Sequence, residues 1–207
     1  MPKVTDEHVD ARRRQILAAA LRCFAREGFH RTTMQQIFRE ADLSPGAVYS
    51  YFKGKDELIA GIAATIVGFI AESAARFDEP LPDGRLRRPG EALHELIGHY
   101  RSVEFGTATE RARIFPHLVG EQQRDPEFNA AARAGLDQLR ASFAKLARAA
   151  HERGELDPAI DPEALARVPI AMLHGMLIQL ALYGDDLDLD AYANAARTLI
   201  DGPAGDA

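Results

Sequence analysis

Between Gly28 and Leu58 the chain reads GFHRTTMQQIFREADLSPGAVYSYFKGKDEL, where helix stops and starts follow one another so closely that only short helices fit. Upstream, Ile16, Leu17, Ala20, Leu21 and Phe24 recur at three- and four-residue spacing, so a first helix has one apolar face, with Arg12, Arg13, Arg22 and Arg26 elsewhere on it. Gly28 stops that helix by accepting the left-handed conformation, and Phe29 can fold back on Phe24. A second helix starts at Thr32 or Thr33, with Gln35 or Gln36 at capping-box spacing, and runs to Ala41. Asp42 takes the turn, and Leu43 points inward as an apolar plug. Ser44 as N-cap and Pro45 at the first helical position then open a third helix to about Phe52.

On a helical wheel, Val48 and Phe52 of the third helix share the core side, Gly46 and Ser50 lie opposite, and Ala47 and Tyr49 flank them. The outward side is slim enough to lie in a major groove about 12 Å wide. Lys53 and Lys55 bracket Gly54 at the start of a fourth helix, where backbone N–H groups and the positive dipole end also attract phosphate.

The pattern Ile16-Leu17-x-Ala19-Ala20, Phe24, Gly28-Phe29, Thr32-Thr33, Ile37, Ala41-x-Leu43-Ser44-x-Gly46, Tyr49-x-Tyr51-Phe52, Lys55 and Leu58 resembles the tetracycline-repressor (TetR) family over roughly the first 60 residues. Phe38 stands where that family usually has alanine and Asp42 where it usually has glycine, changes that bear on the angle between the second and third helices, and Gly54 replaces the usual serine cap at a loss of only about tenths of a kcal/mol. The resemblance implies an all-α regulator with a DNA-binding domain over 1–54 and a ligand-binding and dimerisation domain over 55–207. It further implies a homodimer on a palindromic double-stranded DNA operator, released when a small molecule enters the C-terminal bundle. Chemistry and motif position together assign Gly46, Ala47, Tyr49 and Ser50 to the bases, and Thr33, Ser44, Tyr51, Lys53 and Lys55 to phosphates. The third helix offers no outward Arg, Lys, Asn or Gln, so readout there falls to methyl contacts and shape, with Gln35 or Gln36 as a source of polar base contacts.

The net charge of −6 runs against a nucleic-acid partner until it is divided. Residues 1–60 hold ten Lys/Arg against eight Asp/Glu, whereas the remaining 147 hold fifteen against twenty-three. An acidic body with a locally basic end orients an encounter with DNA more than it strengthens one. Cys23 is the single cysteine, so disulfide and thiolate–metal schemes fail and a reducing cytoplasm is the expected setting. The segment MPKVTDEHVDARRR has no apolar stretch and is read as a solvated arm, not a signal peptide. The most apolar run, 171–183, is interrupted by His174 and Gln179 and is read as too short for a bilayer, so no membrane partner is expected.

Beyond Lys55 a fourth helix extends to about Arg76 through Leu58, Ile59, Ile62, Ile66, Phe69 and Ile70. Asp78 to Pro89 reads as an exposed loop with solvated Arg85, Arg87 and Arg88. Helices follow near 90–104, 108–119 (kinked at Pro116), 126–153 (announced by Asp125-Pro126) and 162–183, and a last amphipathic one comes after Asp185–Asp190. The 162–183 run is apolar on nearly every side and needs two covers, its own bundle and a symmetry mate at Ala164, Ala171, His174, Gly175, Ile178 and Ala181. The alternative is the central helix of a monomer.

Phe69, His99, Tyr100, Phe105, Phe115, His117, Met172 and Met176 are candidate lining for a largely apolar effector pocket, and His174 is a candidate for it as well as for the interface. The seven histidines lack metal-ligand spacing, so no metal or other cofactor is expected. No phosphate loop, nucleophile elbow or carboxylate pair supports catalysis. Competing readings are an α-helical enzyme, or a protein-contact adaptor, carrying the same helix-turn-helix.

Overall fold

A computed structural model describes residues 6–122 and 126–202, and among them there are helices and no strand. The helices are α1 (Asp6–Glu27), α2 (Met34–Ala41), α3 (Pro45–Tyr49), α4 (Lys55–Phe77), α5 (Pro89–Ser102), α6 (Ala108–Gln122), α7 (Pro126–Glu152), α8 (Pro162–Leu165), α9 (Val168–Tyr183) and α10 (Leu189–Asp201). The N-terminal segment is not an arm from residue 6 onward, because nothing between Asp6 and Glu27 is a glycine or proline that would stop α1. Residues 1–5 of that segment, and Asp125, lie outside the described residues.

Two apolar clusters organise the chain. In the first, Ile16, Leu21 and Phe24 of α1 meet Ile37 of α2, Val48 of α3 and Phe52 in the turn after α3. That cluster is closed by Leu58, Ile59 and Ile62 of α4, by Ile114 and Leu118 of α6, and by Phe105 from the loop between α5 and α6. The second is a bundle in which α5 runs along α10, α4 along α7 and α6 along α9. α4 belongs to both, since its C-terminal Ala74 and Phe77 are buried in the bundle. Its approach to α1 is close at Gly61, where an added Cβ would lie 2.7 Å from a Leu17 methyl.

The structure departs from the expected layout in several places. The run 162–183 is two helices, separated at Ala166–Arg167, because Pro169 has no N–H to offer the Leu165 carbonyl and its ring crowds that carbonyl. α3 ends at Tyr49, although the Phe52 N–H still bonds the Val48 carbonyl at 3.0 Å, so the turn persists to Phe52. Pro116 lies within α6 without ending it. The 78–89 loop does not leave its arginines to solvent. Arg85 makes two bonds to the Glu91 carboxylate (2.7 and 3.1 Å), and Arg87 binds Glu95 and the carbonyls of Arg76 and Glu79. Length does not exclude a bilayer span as expected, because Lys55–Phe77 and the broken run Pro162–Asp186 are both long and apolar enough by composition. In the fold, both contribute buried side chains to the clusters described above.

Candidate functional site

The short helices are fixed by side chains that satisfy their ends. Thr33 is the cap of α2: its hydroxyl oxygen accepts from the Gln36 N–H at 3.3 Å, and Gln36 Oε1 accepts from the Thr33 N–H at 2.7 Å. Thr32 is buried and donates its hydroxyl to the Gly28 carbonyl at 2.8 Å, tying the α1 stop to the α2 start. At the other end, Asp42 adopts φ 54°, with its N–H on the Arg39 carbonyl and the Leu43 N–H on the Phe38 carbonyl, so the turn forms without glycine. Gln15 of α1 donates to the Ala41 carbonyl at 2.8 Å. Glu40 receives Arg22 at 2.6 Å, and this bond holds its carboxyl below the usual range.

α3 begins at Ser44, whose hydroxyl oxygen accepts from the Ala47 N–H at 3.3 Å, with Pro45 at the first position. Val48 and Phe52 are buried, while Gly46, Tyr49 and Ser50 face outward and Ala47 is half-exposed. Tyr49 is 49% exposed, and its ring meets the edge of the Phe38 ring with centroids 5.3 Å apart. The bulky residue at 38 thus supports an exposed tyrosine. Gln35 is exposed on the same side of the turn as Ser44 and Pro45, whereas Gln36 is spent on the cap.

The two lysines differ. Lys53 projects into solvent, and its backbone N–H is capped by Glu57 at 2.8 Å, which replaces the side-chain cap that Gly54 cannot provide. Lys55 is half-buried, donates its ammonium to the carbonyls of Phe29 (2.9 Å) and His30 (3.4 Å), and lies over the Phe29 ring. It therefore secures the α1–α2 loop to α4.

A cavity of about 80 Å³ lies among α4, α5, α6, α7 and α9. Of the residues expected to line a pocket, it brings together Phe69, Tyr100, Phe105 and Phe115. It adds Ile66, Ile70, Leu173 and Leu177, whose helical spacing gave only a core signal, and Leu139 and Arg111, which the sequence did not single out. His99 instead turns to a shallow groove near Ser73 and Arg76, its ring 4.8 Å from Phe69. His117, Met172 and Met176 are not in the wall; Met176 is fully buried core, and the Met172 carbonyl accepts from the Tyr192 hydroxyl. His174, expected at a pocket or at a subunit interface, packs on Phe115 at 5.2 Å and lines the cavity, where burial pushes its pKa below the ordinary histidine value. Burial also raises the Tyr100 phenol to about 12.

The other residues expected at a subunit interface divide. Ala171 and Ile178 are exposed on α9 with Gly175 half-exposed between them, and Val168, Leu182 and Tyr183 extend the same apolar surface. Leu182 is 73% exposed and Leu199 of α10 is 77% exposed. Ala164 is exposed on the separate α8, and Ala181 packs against the bundle core. Among the described residues no cluster of His, Cys, Asp and Glu is placed to hold a metal.

Residues 16–74 match the family described as bacterial regulatory proteins, tetR family, and residues 87–196 match the tetracyclin repressor-like C-terminal domain. The HTH-type transcriptional regulator YfiR of Bacillus subtilis is 28% identical over 206 residues, spanning 95% of this chain and 93% of its own length. UidR of Escherichia coli K12, also an HTH-type transcriptional regulator, is 27% identical over 194 residues, with 92% and 91% covered. The structure of Salmonella enterica GusR superposes with a TM-score of 0.64 at 25% identity over 97% of each chain. Capped short helices with a slim exposed face, a bundle behind them, and matches along most of the chain converge: the chain belongs to the TetR family of DNA-binding transcriptional regulators.

Proposed function

We propose that the protein is a cytoplasmic repressor that binds a palindromic operator as a homodimer and is released from it by a small, largely apolar effector. The observation that carries this reading is the outward side of α3, where Gly46, Ala47, Tyr49 and Ser50 present a slim surface with no long polar side chain. Such a surface suits close approach to base edges and methyl groups, while Gln35 on the front of α2 supplies polar contacts. Thr33, Ser44, Tyr51, Lys53 and Lys55 surround it as phosphate partners, Thr33, Ser44 and Lys55 being shared with structural duties in caps and loop.

The exposed apolar side of α9 and α10 pairs two copies, and the pair presents two α3 helices about 34 Å apart, one turn of DNA. Residues 1–54 serve as the reading end and 55–207 as the pairing and effector-binding body. An effector in the cavity presses on α4, whose N-terminal half is part of the core beneath α3, so the separation of the two reading helices changes. DNA and effector then oppose each other reciprocally.

Footprinting on the DNA flanking the protein's own gene, with sedimentation of the free protein, tests the reading. A two-fold symmetric protected site with half-sites one turn apart, bound by a dimer, is expected. A protein that sediments as a monomer and protects no fragment overturns it.

A further inference from the structure

Among the described residues Arg111 is a buried positive charge with no ion-paired carboxylate, Glu110 acting on it only through its field. It is 4% exposed, and no carboxylate lies within ion-pair distance among the described residues. Its guanidinium donates instead to the backbone carbonyls of Val103 (3.1 Å), Phe105 (3.0 Å), Gly106 (2.6 Å) and Tyr100, and lies over the Tyr100 ring at 4.7 Å. Its buried Nε has no hydrogen-bond partner among the described residues. A neutral carbonyl cage compensates a full charge only in part, so a negative group entering this space meets a cation that is already stripped of water.

Arg111 is also part of the wall of the cavity among α4, α5, α6, α7 and α9, whose other lining is apolar apart from Thr65, Tyr100 and His174. The four carbonyls it holds lie on the segment from the end of α5 to Gly106, and this segment is wedged against the reading end. Phe105 is buried in the same cluster as Phe24 and Phe52. Gly106 has φ +66° and lies so close to α1 that an added Cβ would be 2.7 Å from a Leu21 methyl.

We infer that the effector is an apolar acid whose carboxylate pairs with Arg111, and that the pairing loosens the segment Val103–Gly106 from its seat on α1. The inference rests on the effector-released reading above and names both the ligand class and the relay. The guanidinium has five N–H donors in a fixed fork, so a carboxylate that takes two of them must draw them from the loop carbonyls or from the free Nε side. The cavity, about 80 Å³, is smaller than the roughly 150 Å³ that holds benzene in an apolar protein interior, so even a short-chain or single-ring acid enters only by moving a wall. The wall that carries Arg111 is the one attached to α1.

Matched acids and amides on the full-length protein test this: benzoate against benzamide, and hexanoate against hexanamide, at pH 7. Affinity is read by calorimetry, and release by anisotropy of a labelled operator fragment. The acid of at least one pair is expected to bind about tenfold or more tightly than its amide, as a charge-assisted bond requires, and to release DNA in proportion. R111Q should bring the acid-to-amide ratio close to one, with R111K retaining part of the preference. Should R111Q not fold by circular dichroism, the wild-type ratios alone decide. Equal affinity for acid and amide, or binding of neither pair, overturns the inference while leaving a footprinted operator intact. Acid preference without any operator would instead overturn the repressor reading and leave the ligand class standing.

Discussion

Lys53 and Lys55 have the same charge two residues apart, yet only Lys55 is committed to the protein, through the carbonyls of Phe29 and His30. Replacing Lys53 with alanine should lower the slope of log affinity against log salt by about one unit and leave the urea midpoint unchanged. Lys55→Ala should lower that slope similarly and also cost about 1 kcal/mol of stability, measured by urea denaturation, because the loop carbonyls lose their donor. The spacing of these residues announced a basic rim, but the partner of Lys55 lies 26 positions earlier and has no local sign. His174 makes a second case. Burial holds its folded pKa below the ordinary 6.5, so the stability linked to its neutral form is complete above that pH and is lost as pH falls through the folded value. Between pH 7 and 5, urea midpoints of the wild type should therefore fall relative to those of His174→Gln. The sequence offered His174 both to a pocket and to a subunit interface; the packing of α6 on α9 sets its ring against Phe115.

Helices whose ends are written in Gly, Pro, Ser and Thr were readable, and those whose ends depend on distant partners were not. The threonine pair before α2 illustrates both. Its capping-box spacing was visible, but the choice of Thr33 follows from Thr32 being drawn inward to the Gly28 carbonyl. The break between α8 and α9 had a local signal in Pro169 that the apolarity of the surrounding run obscured. The start of α5 is held from 111 residues away: Asp201 of α10 accepts from the Gly90 N–H at 2.7 Å and from the Glu91 N–H at 3.0 Å. An alanine Cβ at Gly90 would lie 2.6 Å from the Asp201 carboxylate and 2.7 Å from the Arg197 carbonyl, which leaves no room for it. Gly90→Ala should thus destabilise the protein by about 1–3 kcal/mol, seen as a lower thermal midpoint, by forcing α10 off α5.

Across the molecule, the residues proposed to meet DNA lie close together in sequence, whereas the cavity is assembled from five helices and could not be outlined from the sequence. Aromatic residues marked part of its wall, but Arg111 sits in a helix where an arginine ordinarily means solvent. The 162–183 run was visible as excess hydrophobicity and the last helix only as amphipathic, and the fold leaves Ile178, Leu182 and Leu199 uncovered. The double variant Ile178→Arg, Leu182→Arg should sediment as a monomer with unchanged helix content, and its operator affinity should fall by more than tenfold, since one half-site then acts alone. The shared membership of α4 and α6 in the core beneath α3 has a further consequence for protein engineering. A chimaera cut at residue 54 would transplant Phe24, Ile37 and Phe52 without the Leu58, Ile62, Ile114 and Leu118 that enclose them, so exchanging operator preference between relatives calls for grafting surface positions alone.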